Sequence, residues 1–332
     1  MSDYTLPPHS RVLVTGANGF IASHIINLLL QRGYLVRGTV REPRPWLDQM
    51  FQKYDRYESV VLPDLEHPDP MVFNDVAGVV LVATENSFSQ DPALIQRVVQ
   101  GTLAMLELAK NSAVKSVVLT SSTAACVSST YAPEANYVKI DNDTYNDAAV
   151  AAAQSTSPSE IFPGMAVYSA SKTEAERQAF KWVQENQPSF QFNTVVPDYN
   201  IGSRLNPNVR ESGMAPIRAF LDGQDLFMKI FPPAWYVNVE DTARLHVAAL
   251  LDPKIQSERI FATAGQFNWA DVIAIMRRLR PNNSNIPDAP NNDRCRFDFV
   301  LSKRAEQILL DFFGSGWVSL EDSVAQGIAD LQ

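Results

Sequence analysis

Tyr168 and Lys172 stand four residues apart in Tyr168-Ser169-Ala170-Ser171-Lys172, a spacing that puts both on one face of a helix. A free phenol has a pKa of about 10, too high for proton transfer near neutrality. A neighbouring ammonium favours the phenolate and lowers that value by about 1–3 units. The pair therefore predicts a tyrosine that can give a proton to a carbonyl oxygen or take one from an alcohol. Four hydroxyls in a row, Thr120-Ser121-Ser122-Thr123, follow the apolar run 116–119 and could orient the same oxygen. A Tyr-x-x-x-Lys alone is commonly a plain helix surface. A nucleotide-binding turn elsewhere in the chain gives it a chemical context.

That turn lies near the amino terminus. Val12-Leu13-Val14 reads as a short strand buried on both faces. The run Thr15-Gly16-Ala17-Asn18-Gly19-Phe20-Ile21-Ala22 follows, and Ile21, Ile25, Leu28 and Leu29 then recur at helical spacing up to a C-cap glycine, Gly33. A helix start carries unpaired N–H groups and a positive dipole end, which suit a phosphate. Gly16 permits the tight turn, Gly19 the approach of a pyrophosphate, and Ala22 replaces the third glycine of the dinucleotide fingerprint. Cofactor contacts are expected at Gly16, Asn18, Gly19, Phe20 and Ile21. A second strand, 34–40, runs into Arg41. A carboxylate there would hold the ribose hydroxyl of NAD, whereas an arginine suits the 2′-phosphate of NADP; the other reading is a surface arginine. A third strand, 59–62, leads to Asp64 and Leu65, where Asp64 either accepts from an adenine amino group or is a turn residue. A fourth strand, 79–82, delivers Val82, Ala83 and Thr84 to the cofactor, with Ala83 small enough for close passage.

These elements alternate strand and helix about six times up to Pro197, which is the pattern of an α/β fold, a doubly wound parallel sheet. Helices are expected at 46–54, 92–110 and 167–186, and 126–164 reads mostly as loop with a short helix near Ala148. Residues 1–197 form the dinucleotide-binding Rossmann domain, with 235–262 returning to it. Residues 198–234 and 263–332 form a smaller C-terminal substrate-binding lid over the carboxyl ends of the strands, the crevice where such sheets bind ligands. With 332 residues, 45% of them hydrophobic, the chain can build a large core. A net charge of −9 argues against nucleic acid and anionic membranes. Two cysteines cannot frame a disulfide scaffold and suit a reducing, cytoplasmic setting. The segment 1–10 does not read as a signal peptide, no apolar run is long enough to span a bilayer, and four scattered histidines predict no metal site.

Four motifs together, Thr15 to Ala22, Leu119 to Thr123, Tyr168 to Lys172, and Val196-Pro197 through Ile201-Gly202, resemble those of an extended short-chain dehydrogenase/reductase over nearly the whole chain. Val36 to Arg41, Tyr168 to Ala175, and Phe261 to Gly265 with Trp269 are similar to the dihydroflavonol-reductase-like branch, and most to fungal NADPH-dependent aldehyde and ketone reductases. The resemblance implies a catalytic set of Ser122, Tyr168 and Lys172, with Lys172 also on the nicotinamide ribose. It implies Arg41 on the 2′-phosphate of NADPH, and Pro197 with the backbone to Ile201 against the nicotinamide. The implied reaction moves hydride from the nicotinamide to an aldehyde or ketone and a proton from Tyr168 to its oxygen. Two alternatives are an NAD-dependent epimerase or dehydratase of a nucleotide sugar, against which Arg41 argues, and a non-catalytic NADP(H)-binding sensor, against which the intact Tyr–Lys pair argues. Val127 stands where flavonoid reductases carry an asparagine, which lowers a flavonoid substrate. Phe88, Thr123, Val127, Tyr199, Met214 and Trp235 are the expected pocket for a small-molecule carbonyl substrate, although aromatic residues there serve equally as core. The protein is expected as a monomer or homodimer.

Overall fold

A computed structural model of the chain describes residues 4–85, 88–127, 138–155, 164–211, 213–290 and 294–331. It begins with β1 (Arg11–Val14), α1 (Phe20–Gln31), β2 (Leu35–Val40), α2 (Pro45–Phe51), β3 (Tyr57–Val61), β4 (Val76–Leu81), α3 (Ala93–Lys110) and β5 (Ser116–Thr120). Next come β6 (Val138–Ile140), α4 (Asp147–Ala153), α5 (Met165–Asn186), β7 (Gln191–Pro197) and β8 (Tyr199–Ile201). The remainder is α6 (Met214–Ala219), α7 (Leu226–Ile230), β9 (Ala234–Asn238), α8 (Val239–Leu251), β10 (Arg259–Ala262), β11 (Gly265–Phe267), α9 (Trp269–Leu279), β12 (Phe297–Phe299), α10 (Ser302–Phe313) and α11 (Leu320–Gly327).

Seven strands pair in the order β10-β7-β5-β4-β1-β2-β3, all parallel. This is the doubly wound sheet that alternation of strand and helix predicts. The central strands β1, β4, β5 and β7 are buried almost throughout, as a sheet covered by helices on both faces requires. Helices α3 and α5 pack together on one face and α1 and α8 on the other. One core lies between the sheet and α1 and α8, with Val12, Val14, Ile25, Leu29, Val247 and Leu250. A separate core gathers Phe220, Phe267, Trp269, Val272, Met276 and Val324 around the small sheet β11-β9-β8. Of residues 235–262, expected to return to the dinucleotide-binding domain, β9 belongs to that small sheet, pairing with β8 and β11, while α8 and β10 lie against or in the central one.

A two-stranded ladder of β6 and β12 is an element that loop-like composition concealed. Among the described residues no helix is long and apolar enough to cross a membrane, and no cluster of His, Cys, Asp or Glu could hold a metal ion.

Candidate active site

The ends of β1, β2 and β4 build the glycine turn together. Gly16 has φ +67°, and a Cβ there would stand 3.1 Å from that of Ala83, so only glycine fits without strain. Gly19 N–H donates to the Gly16 carbonyl at 2.9 Å. The Thr15 hydroxyl accepts the N–H groups of Val82 and Ala83, each at 2.9 Å. Thr39 accepts the Gly16 N–H on its hydroxyl at 3.3 Å and the Ala17 N–H on its carbonyl at 2.9 Å. No side chain caps the Gly19 end of α1 among the described residues, which leaves first-turn N–H groups for a phosphate. The Thr84 hydroxyl, at the carboxyl end of β4, is buried without a partner among those residues. A cradle that admits only glycine and an orphaned hydroxyl beside it both fit a dinucleotide.

The other expected cofactor residues are placed as follows. Asn18 and Ile21 are half-buried, and Phe20 is buried edge-on to His24. Arg41 keeps its side chain 78% exposed and pairs with Glu85 at 3.5 Å. Arg44 pairs with Glu42, and Arg37 is taken up by Glu58 at 2.8 Å and by the carbonyls of Val72 and Asn74. Asp64 is exposed, its carboxyl held low by hydrogen bonds from His67 and the Glu66 N–H. Leu65 lies against Gly101 of α3, where a Cβ would come 3.1 Å from its own. Pro197 is buried and paired with Ala262.

Helix α5 meets the end of β5 in the middle of the crevice. The Ser122 hydroxyl lies close enough to the Tyr168 phenol to pull its pKa down, and it accepts the Ala124 N–H at 3.2 Å. The Phe88 ring lies 5.2 Å from that of Tyr168. The expected lowering of the phenol pKa by Lys172 is corrected here. Burial raises it, the Ser122 hydroxyl opposes this only in part, and the Asp198 carboxylate raises it further. Lys172 instead donates to the Thr120 carbonyl at 3.1 Å, and burial pushes its own pKa down to about 8 against the pull of Glu176.

Buried partners fix both groups from behind. Thr120 shares its hydroxyl with His246 Nε2 at 2.7 Å, and His246 Nδ1 lies 2.7 Å from the Thr242 carbonyl. A carbonyl only accepts, so Nδ1 carries the proton and Nε2 accepts from Thr120. Burial pushes the His246 pKa down to about 4. One turn past Lys172, Glu176 pairs with Arg259 at 2.8 Å, both side chains buried, and accepts the Thr194 hydroxyl at 2.7 Å.

Sequence reasoning missed Asp198. It accepts the Trp235 N–H at 3.0 Å and a hydrogen bond from Thr123, and burial pushes its pKa up to about 6. A carboxylate directly after the proline that ends β7, at the ligand-binding edge of the sheet, was the available signal. Of the expected pocket, Phe88 is 45% exposed and Thr123 is buried on Asp198. Val127 and Trp235 are half-buried neighbours in one apolar cluster. Tyr199 packs its ring against Phe227, Phe267 and Trp269. Met214 is a correction: it is fully buried, closed over by Gly327 of α11, and serves the second core. Ile201 is likewise fully buried in that core, so its side chain is packing.

The model of the NAD dependent epimerase/dehydratase family matches residues 12–262. The ketoreductase adrE of Penicillium roqueforti is 42% identical, over 98% of each chain. Aldehyde reductase 2 of Sporidiobolus salmonicolor is 34% identical, over 96% of this chain and 95% of its own. The crystal structure of yeast methylglyoxal/isovaleraldehyde reductase Gre2 complexed with NADPH superposes with a TM-score of 0.79 at 23% identity, covering 96% of this chain and 97% of that one. That likeness is one of fold.

Proposed function

Since the chain belongs to the NAD dependent epimerase/dehydratase family of extended short-chain oxidoreductases, we propose that it uses NADPH to reduce an aldehyde or ketone to an alcohol. The observation that carries this reading is the meeting of the Tyr168–Lys172 face of α5 with the hydroxyl run at the end of β5, where Lys172 donates to the Thr120 carbonyl at 3.1 Å. Ketoreductase and aldehyde reductase relatives over nearly the full chain support it, as does a shared fold with an NADPH-bound reductase.

In this reading the Gly16–Gly19 turn and the start of α1 hold the pyrophosphate, and Arg41 exchanges Glu85 for the 2′-phosphate. Thr84 and Lys172 hold ribose hydroxyls. NADPH, when bound, supplies the hydride that reaches the carbonyl carbon. Ser122 donates a hydrogen bond to the carbonyl oxygen, which is strongest as negative charge develops there. Tyr168 transfers its proton to that oxygen. Burial favours the neutral phenol, the form a proton donor needs, so the environment suits reduction. Lys172 leaves the Thr120 carbonyl for the ribose or stays between the two.

The test is NADPH consumption with a panel of aldehydes and ketones, run in parallel with NADH. Carbonyl-dependent consumption that favours NADPH is expected. NADPH binding without turnover on any carbonyl would overturn the reading in favour of a sensor, and NAD retained through purification would favour an epimerase.

A further inference from the structure

Asp198 follows Pro197 at the carboxyl end of β7, next to β5, whose own carboxyl end runs into Ser122. It links the end of β7 to the start of β8; its carboxyl accepts the Trp235 N–H of β9 at 3.0 Å and is held down by the Thr123 hydroxyl next to Ser122 and by the Tyr199 N–H. Its charge reaches the Tyr168 phenol and the Tyr199 phenol, so it shares the neighbourhood of the proton donor. The residue as a whole is half-buried, while burial of its carboxyl dominates the pKa shift. Among the described residues no lysine, arginine or histidine forms an ion pair with it. An anionic group buried beside aromatic rings with no cation is costly, and a neutral side chain could accept the Trp235 N–H as well. Such cost recurs where a group has work to do on a ligand.

We propose that Asp198 selects the substrate: it accepts a hydrogen bond from a hydroxyl group close to the reacting carbonyl, so the preferred substrates are hydroxy ketones or hydroxy aldehydes. This rests on the carbonyl-reductase reading and narrows it. An ionised carboxyl is an acceptor only, with about four lone-pair sites, so one stays free beyond the Trp235, Thr123 and Tyr199 donors. A hydroxyl satisfies it without bringing a second charge next to Tyr199, its neighbour in sequence, and Trp235, whose N–H it already holds. An ammonium would lose its hydration there. A site built around a buried acceptor discriminates against the analogue that lacks the donor, because the acceptor is then left unpaired.

The experiment compares hydroxyacetone, methoxyacetone and butanone, each with its homologue one carbon longer, as substrates of the wild type and Asp198→Asn. The wild type should prefer a hydroxy ketone over its methyl ether by about tenfold or more in kcat/KM, mainly through KM, since a hydrogen bond to a charged group carries discrimination of that order. In Asp198→Asn this ratio should fall towards one. Equal ratios in the two proteins, or a stronger gain with aminoacetone than with hydroxyacetone, would overturn the proposal. Should the variant not fold, the wild-type ratio still decides, because a value near one is fatal. A wild type that oxidises NADPH with none of these carbonyls would instead refute the underlying reductase reading.

Discussion

Tyr168 can hand over a proton only while it holds one, and its burial beside Ser122 keeps the phenol neutral at physiological pH. Removing the hydroxyl in Tyr168→Phe should cut turnover by at least about 10²–10⁴-fold, the usual worth of a general acid. NADPH affinity, read from protein fluorescence, should barely move; near-normal turnover would remove Tyr168 from the chemistry. Ser122 and Ser121 give a sharper comparison. Ser122 reaches the phenol, while the Ser121 hydroxyl is buried without a partner among the described residues. Ser122→Ala should therefore lower kcat about a hundredfold, as loss of one donor to a developing oxyanion does. Ser121→Ala should leave kcat within a few-fold. Equal losses at both positions would make the hydroxyl run structural. The identity and spacing of Tyr168, Lys172 and Ser122 were legible in the sequence. The sign of the phenol shift was not, because spacing reveals neighbours and not burial, and Lys172 found the Thr120 carbonyl instead. Asp198 escaped for a related reason: its role depends on which strand folds back to it, and Trp235 is supplied by a sheet that no local pattern announced.

At the level of elements, the nucleotide turn is a joint between three strands rather than a property of one loop. Thr15 clamps the end of β4, and Thr39 of β2 holds Gly16 and Ala17. Gly16 is confined to a left-handed φ and faces Ala83. Gly16→Ala should therefore strain the turn and displace β4 against it, and NADPH affinity should fall by about tenfold or more, from the order of 1–3 kcal/mol that such strain costs. Unchanged binding in a titration would show that the turn does not carry the cofactor. At the neighbouring strand end, the Arg41–Glu85 pair is exposed and worth little by itself. Arg41→Ala should raise KM for NADPH about tenfold or more and leave that for NADH nearly untouched, since a guanidinium makes charge-assisted bonds only to the extra phosphate. Equal use of both cofactors by the wild type would refute this. The large sheet was readable because its strands carry short apolar stretches, such as 12–14, 79–81 and 117–119, each closed by a turn or helix signal. The β6–β12 ladder was not: three-residue strands drawn from distant parts of the chain leave no periodic trace.

Across the whole molecule, buried ionisable groups tie stability to pH, and two of them act in opposite directions. His246, with a pKa pushed down to about 4, is neutral in the fold but titrates near 6.5 when unfolded. The unfolded chain thus binds the extra proton between about pH 4 and 6.5, and this contribution is present above that window and lost as pH falls through it. A shift of that size corresponds to about 3 kcal/mol. Asp198 is the reverse case, with its pKa raised from 3.8 to about 6. Here the folded chain binds the extra proton, so stability falls as pH rises through the same window, by up to about 3 kcal/mol. Between about pH 4 and 6 the two slopes cancel, and these groups together leave the wild type flat. Asp198→Asn removes only the falling component while keeping an acceptor for the Trp235 N–H. The variant should therefore gain thermal stability relative to the wild type as pH rises from about 4 to 6.5, and the gain should then level off. Melting temperatures of the two proteins across that range provide the measurement. A difference that does not change with pH would mean that the Asp198 carboxyl titrates alike in the folded and unfolded chain. The same variant should lose selectivity for hydroxy ketones while it gains stability, as expected where a buried charge is retained for function at the expense of the fold.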